Sequence, residues 1–296
     1  MNDVIGIQFT RFSAFYSPLI AAIAGGFLRN EGLDPQHSVA PAGTSAIDAV
    51  LAGTVHVCQS APSQGFGPLE KGRTPPVLHF AQINEKDGFF LTARRPDPAF
   101  SWDQLKGRNV LVDHGGQPLA MFKYACHRRG LDYTSLHAVD VPSARMDEAF
   151  RQGSGEYIHQ QGPAPQQLEH DGVGHVVAAV GEAIGPCAFS SLAATPAWLK
   201  TEMAVRFMRA YRKARRWLIE TPAAEVARTE RSFFPDIDLA VLTSTIAAYQ
   251  QLGCWTPHVE ITRAAFEVTL DVFQHAGLIT RRHRYEDVVA APPGGV

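Results

Sequence analysis

The sequence predicts an α/β fold with mostly parallel sheets covered by helices on both faces, and three features carry that expectation. Short β-rich runs alternate with helically spaced segments over the first two thirds of the chain. The joints between them are short and hold Gly, Pro, Ser, Thr and Asn, residues that end helices and build turns. Past Pro196 the alternation stops and helical periodicity takes over.

Residues 4–9 form the first β-rich run, and 18–30 carry apolar residues at helical spacing. Gly32, within Glu31-Gly32-Leu33, suits the left-handed C-cap that closes this helix. A second strand is expected over 36–39. The turn Pro41-Ala42-Gly43-Thr44 then leads into a helix ending near Leu51, with Thr44 or Ser45 as its cap. Strand 55–59, helix 65–70 and strand 77–82 complete a cycle that argues for parallel pairing.

A second cycle opens at 89–93. It continues as a capped turn at 101–105, a strand at 109–112 and a helix over 119–129 closed by Gly130. Strand 136–139, helix 143–151, strand 155–160 and helix 165–170 follow, then strands 174–179 and 187–193. Amphipathic helices are expected over 198–221, 223–231, 239–252 and 261–276. On the first of these, Arg206, Arg209, Arg212, Lys213, Arg215 and Arg216 read as a solvated basic face. The tail 285–296, with its Pro292-Pro293-Gly294-Gly295, reads as a frayed end.

Composition bounds the function. The chain has 296 residues, 45% hydrophobic and 19% charged, which is globular and long enough for two domains or one large α/β unit. Lys plus Arg number 27 against 29 Asp plus Glu, a net charge of -2 without the basic excess of a nucleic-acid binder. Cys58, Cys126, Cys187 and Cys254 stand far apart with no CxxC pair, and the 12 histidines include no HExxH, so no metal site or disulfide framework is expected. Met1-Asn2-Asp3 carries no basic charge and 4–7 is too short for a signal core. As written, the chain reads as cytoplasmic, or periplasmic if a leader has been removed. No run approaches the ~18 apolar residues of a membrane span, so no membrane insertion is expected.

Short motifs then recur in a telling order. They begin with Pro18-Leu19-Ile20-Ala21-Ala22, Gly26-Phe27 and Glu31-Gly32-Leu33, followed by Gly43-Thr44-Ser45-Ala46-Ile47 and Ala52-Gly53-Thr54-Val55-His56-Val57. Asp103-Gln104-Leu105-Lys106-Gly107-Arg108, Gly130-Leu131-Asp132, Gly253-Cys254-Trp255-Thr256 and Gly277-Leu278-Ile279 continue it. Over nearly the whole chain this set resembles the type II periplasmic-binding-protein family. Within it, the resemblance is to the ABC substrate-binding branch for sulfonates, nitrate and thiamine-pyrimidine precursors, which also contains thiamine-pyrimidine synthases. The resemblance implies a two-lobed α/β fold whose lobes are joined by two crossover strands, with the ligand between them. Placing the crossovers near 89–93 and 187–193 makes lobe one 1–90 plus 190–296, and lobe two 91–189.

In open α/β sheets, ligands sit beyond the carboxyl ends of strands, where helix N-termini present free N–H groups. That rule selects the loop after the first strand, where Phe12 or Phe15 could face a flat ligand and Arg11 or Ser13 its polar edge. The same residues could instead close the lobe as an aromatic cluster with Arg11 in solvent. Thr44 could touch ligand or merely cap its helix, and Gln59 and Ser60 could do so or merely build a turn. Asn84 precedes the first crossover, and Pro186 lies in Gly185-Pro186-Cys187 at the second.

Asp113-His114-Gly115-Gly116-Gln117 is the most informative loop. Its glycines, Gly116 included, allow close backbone approach, and the helix dipole beyond favours an anionic group near Gln117. The Gly-Lys-Ser/Thr ending of a phosphate loop is missing. His159 and Gln160, with Gln161, put an imidazole and two amides at a strand end; the amides could also serve only to cap the following helix.

These residues point to a protein that closes over a small planar or anionic organic molecule, without a cofactor; the resemblance implies that it could pass the molecule to an ABC transporter permease. The alternative is a cytosolic enzyme on the same scaffold, a decarboxylase, desulfinase-like or pyrimidine-forming, with His114 or His159 as acid/base. The sequence lacks a Gly-x-Ser-x-Gly elbow. Desulfinases of this fold carry a cysteine in the loop after strand one, where this chain has Ser13, and the synthases carry a cysteine-rich segment it lacks.

Overall fold

The computed structural model describes residues 2–41 and 43–295; Ala42 of the expected turn and the last residue of the tail lie outside them. The chain starts with β1 (Asp3–Phe9), α1 (Ser17–Ala24) and α2 (Phe27–Asn30), then β2 (Leu33–Val39), α3 (Ala46–Leu51), β3 (Val57–Ser60), α4 (Phe66–Glu70) and β4 (Leu78–Asn84). It continues with β5 (Phe89–Ala93), β6 (Asn109–Val112), α5 (Gly116–Arg128), β7 (His137–Asp140), α6 (Met146–Arg151) and β8 (Tyr157–Gln161). α7 (Ala164–His170), β9 (His175–Ala179), α8 (Val180–Ile184) and β10 (Ser190–Ala194) lead to the last helices, α9 (Glu202–Glu220), α10 (Ala223–Glu230), α11 (Leu239–Leu252) and α12 (Arg263–His275).

The strands form two sheets of five, ordered β2-β1-β3-β10-β4 and β7-β6-β8-β5-β9. In the first, β1 pairs in parallel with β2 and β3, while β10 runs antiparallel to β3 and β4. In the second, β6 is parallel to β7 and β8, and β5 is antiparallel to β8 and β9. Each sheet is therefore mixed, with one reversed strand. That reversal follows from connectivity, because each sheet receives one strand from a chain that enters from the other sheet.

The two linking segments, 85–88 and 180–189, lie side by side, and Cys187 N–H donates to the Glu85 carbonyl at 2.8 Å. Glycine is required there by space. A Cβ on Gly181 would sit 2.3 Å from the Asp87 carbonyl oxygen, and one on Gly88 would sit 2.3 Å from the Phe15 ring. Asp87 is fully buried in this joint, with Oδ1 accepting from Phe89 N–H at 2.6 Å, and burial pushes its carboxyl up to about 8.

Three local expectations are corrected. The single helix over 18–30 is two helices, because Gly26 takes the left-handed conformation at φ 75 and turns the chain between α1 and α2. The basic stretch of α9 is not all solvated: Arg215 is fully buried and donates from Nη1 to the Ile83 carbonyl at 2.8 Å. The tail is anchored rather than frayed, since Val288 and Val289 are buried and His79 of β4 donates its N–H to the Val288 carbonyl at 3.0 Å.

The last helices hold the assembly together. α9 packs on α1 and α2, and α10 on α1 and α11. α11 and α12 reach further, to α7 and α5 on the second sheet. The main hydrophobic core runs through both sheets, from Ile5 and Phe9 to Leu91 and Phe122.

Candidate functional site

The loop leaving β1 is shaped by its own hydroxyls. Ser13 caps the turn Ala14–Tyr16 by accepting from Phe15 N–H at 3.2 Å, and its Oγ donates to the Gly162 carbonyl across the cleft at 3.0 Å. Thr10 N–H donates to Gln59 Oε1 at 3.0 Å, which ties this loop to the end of β3. Between them Arg11 is exposed, and no hydrogen bond or ion pair to it is found among the described residues.

Arg11 stands where two adjoining cavities meet. The larger, about 530 Å³, lies between the β1 loop, the start of α3, the end of β3 and the N-terminus of α5, with Tyr16, Phe89 and Phe189 as its aromatic walls. Arg11 is the one charged residue among its lining groups; the other polar ones are hydroxyls and amides. α5 begins there without a side-chain cap, so the N–H groups of Gly116 and Gln117, both lining residues, have no capping side chain. The N-terminus of α3, by contrast, is occupied by its own Ser45 and Asp48 in a reciprocal capping box.

The smaller cavity, about 370 Å³, shares Arg11 and Phe89 with the first. Its remaining polar walls come from Ser13, Asp113, Ser143, Asp147, Gln167 and the Gln160-Gln161 pair. Two clamps bridge the cleft beside these cavities. Ser63 Oγ donates to Gln117 Oε1 at 2.5 Å, and Gln117 Nε2 donates to the Phe189 carbonyl at 3.0 Å. On the other side, Gly162 N–H donates to Tyr249 Oη at 2.8 Å, and that hydroxyl donates to the Gly88 carbonyl at 3.1 Å.

Of the residues singled out from sequence, Arg11, Thr44, Gln59, Ser60, Gly116 and Gln117 line the larger cavity, and Arg11, Phe12, Ser13 and Gln160 the smaller. The Thr44 hydroxyl is committed to the Pro41 carbonyl at 2.7 Å. Five others line neither. Phe15 is fully buried against Phe189 and Tyr249. Asn84 is buried and accepts from Trp255 Nε1 at 2.9 Å. His114 turns toward its own strand, with Nδ1 2.7 Å from the Val112 carbonyl and 3.4 Å from Asp140. Pro186 is exposed on the second link.

His159 lies between the rings of Phe89 and Phe122, each 4.7 Å away, with both ring nitrogens unpartnered. Burial lowers its pKa to about 3, so near neutral pH the ring is uncharged and sealed from the cavities. Sequence reasoning missed Ser63, Asp147, Phe189 and Tyr249. Ser63 and Tyr249 lie far along the chain from Gln117 and Gly162, Asp147 pairs locally with Arg151 like any surface helix carboxylate, and Phe189 is an apolar residue in a link, so no local signal marks any of them as cavity residues.

Among the described residues no group of three His, Cys, Asp or Glu side chains could hold a metal ion. All four cysteines are buried, and burial pushes the thiols of Cys58 and Cys126 up to about 12. No described helix is long and apolar enough to cross a membrane.

A family model described as NMT1/THI5 like matches residues 14–225. The chain belongs to that family. A curated relative from Bacillus subtilis (strain 168), named "Putative binding protein YtlA", is 28% identical over 282 residues, spanning 94% of this chain and 84% of the relative. Among solved structures, the periplasmic aliphatic sulphonate binding protein SsuA from Escherichia coli superposes with a TM-score of 0.74 at 15% identity, over 99% of this chain and 93% of that one. The alkanesulfonate-binding SsuA from Xanthomonas axonopodis pv. citri, bound to MOPS, gives 0.72 at 16% identity over 97% and 98%. A ligand-binding component of an ABC-type import system from Staphylococcus aureus gives 0.74 at 13% identity over 98% and 97%. This member of the NMT1/THI5-like family therefore has the two-lobed periplasmic-binding-protein fold, as its sequence motifs imply.

Proposed function

We propose that this chain is a solute-binding protein that closes over a small anionic organic molecule, in the manner of the substrate-binding component of an ABC uptake transporter. Its lobes are residues 1–90 with 190–296, and 91–189, and its partner is a transporter permease. That role is exercised on the outer, periplasmic side of the membrane the permease spans.

The observation that carries this reading is Arg11, the sole charge lining the larger cavity, set beside the uncapped N-terminus of α5. A guanidinium with no partner among the described residues and a helix dipole both favour an anion, and closure away from water strengthens both attractions. Tyr16, Phe89 and Phe189 supply apolar wall for the rest of the molecule. YtlA's name and the titles of the SsuA structures support the same direction.

Isothermal titration with aliphatic and aromatic sulfonates and carboxylates tests it, alongside native mass spectrometry of freshly purified protein. Arg11→Gln should weaken binding of the best anion at least tenfold, about 1.4 kcal/mol, while leaving the melting temperature of the unliganded protein unchanged. Wild-type affinity in Arg11→Gln would remove the anion assignment.

A further inference from the structure

We propose that the bound anion carries an amino or other cationic, N–H-rich group at its far end, seated in the smaller cavity against Asp113 and Gln160. The inference rests on the anion reading above and names the ligand class more closely. Because the two cavities share Arg11 and Phe89 as walls, one elongated molecule can occupy both.

Their polar character is opposite. The larger cavity has a cation and no carboxylate among its lining groups, whereas the smaller has two carboxylates, Asp113 and Asp147, in its wall besides the same Arg11. Asp113 is 8% exposed, and its Oδ1 accepts from Gly115 N–H at 2.8 Å, which leaves the other oxygen for a ligand donor. Asp147 commits Oδ2 to Arg151 Nε at 2.6 Å while its Oδ1 is buried without a partner.

Gln160 supplies the independent observation. This side chain is also 8% exposed, and its Oε1 is a buried acceptor that no described donor reaches. Buried acceptors are ordinarily satisfied, so one left open on a cavity wall beside two carboxylates calls for donors from the ligand. Among the buried side-chain atoms of this wall, Gln161 Nε2 is the one donor without a described partner, and the exposed Arg11 guanidinium is the other donor group beside it. Carboxylates and an amide oxygen around a small void suit an ammonium or amidinium group, which offers several N–H donors and a neutralising charge.

The test compares anions that differ only by a terminal amine: 2-aminoethanesulfonate with ethanesulfonate, β-alanine with propionate, and 4-aminobutyrate with butyrate. In the best-binding pair, the amino member should bind at least tenfold tighter to the wild-type protein. Asp113→Asn keeps the acceptor for Gly115 but removes the charge, and Gln160→Met keeps the volume but removes the acceptor. Each should bring the ratio of the two affinities at least severalfold closer to one, because only the amino member uses the carboxylate charge and the amide acceptor. Equal or tighter binding of the amine-free members would overturn the inference while sparing the anion reading. No binding by any member, together with no effect of Arg11→Gln on co-purified material, would remove both.

Discussion

His159→Phe should leave the fold intact and flatten the acid side of the stability curve. The imidazole is fully buried between two phenylalanine rings, with neither nitrogen hydrogen-bonded, so there is no partner to accommodate a proton. Burial sets its folded-state pKa near 3, against 6.5 in the unfolded chain. As pH falls below about 6.5 the unfolded state gains a proton that the native state refuses. Stability then declines by about 1.4 kcal/mol per pH unit until about pH 3, where the loss is complete. At pH 5 the loss from this one ring is about 2 kcal/mol. His79 adds a similar share, being buried, lowered to about 3, and 2.7 Å from Ser191 Oγ through Nδ1. Urea unfolding at pH 7 and pH 5, followed by tryptophan fluorescence, separates the two contributions. The wild-type protein should lose about 2 kcal/mol more than His159→Phe between these pH values, with His159→Leu as a smaller companion. Equal losses in wild type and both variants would refute the buried neutral histidine.

Two further outcomes follow from the cleft and its links. Tyr249→Phe removes the partner of the buried Gly162 N–H and one donor to Gly88, so it should lower unfolding stability by about 1–3 kcal/mol; a melting temperature equal to wild type would show that this clamp contributes nothing. Gly181→Ala forces a Cβ against the Asp87 carbonyl, a backbone atom that cannot swing aside, and should destabilise markedly or prevent accumulation of folded protein. Gly67→Ala, with open space around its Cβ, is the matched control and should be neutral or slightly stabilising by thermal melt.

Much of the fold was legible because its signals are local. β5, β6 and α11 coincide with the runs read from periodicity, and β1 differs by one residue at its start. The α1–α2 break was visible only as Gly25-Gly26 inside an otherwise continuous apolar pattern, which a helix tolerates unless packing calls for a turn. Strand direction was less accessible. The reversed strands β5 and β10 look like any buried strand, because apolar composition reports burial and not the direction of a neighbour.

The cavity walls divide in the same way. The ends of β1, β3 and β6 could be selected by the rule that strand ends face the cleft, and Arg11, Gln59, Ser60 and Gln117 stand at or just beyond those ends. That rule does not say which side chain turns inward. Phe15 and His159 belong to the right segments yet point into the core, where aromatic neighbours claim them. Tyr249 belongs to a helix whose apolar face gives no hint of a clamp, because its partners Gly88 and Gly162 lie 161 and 87 residues away in sequence.

From its sequence alone this protein was determined as an α/β chain of the family its motifs resemble, with helix and strand placement set by residues within one or two turns of each other. Tertiary structure alone decided the strand reversals, the burial of Arg215 and His159, the anchoring of the tail, and the meeting of two cavities of opposite polarity at Arg11. The reason is range. Propensity and periodicity act over a few neighbouring residues, whereas the Ser13–Gly162 contact closes the cleft across 149 residues of intervening chain.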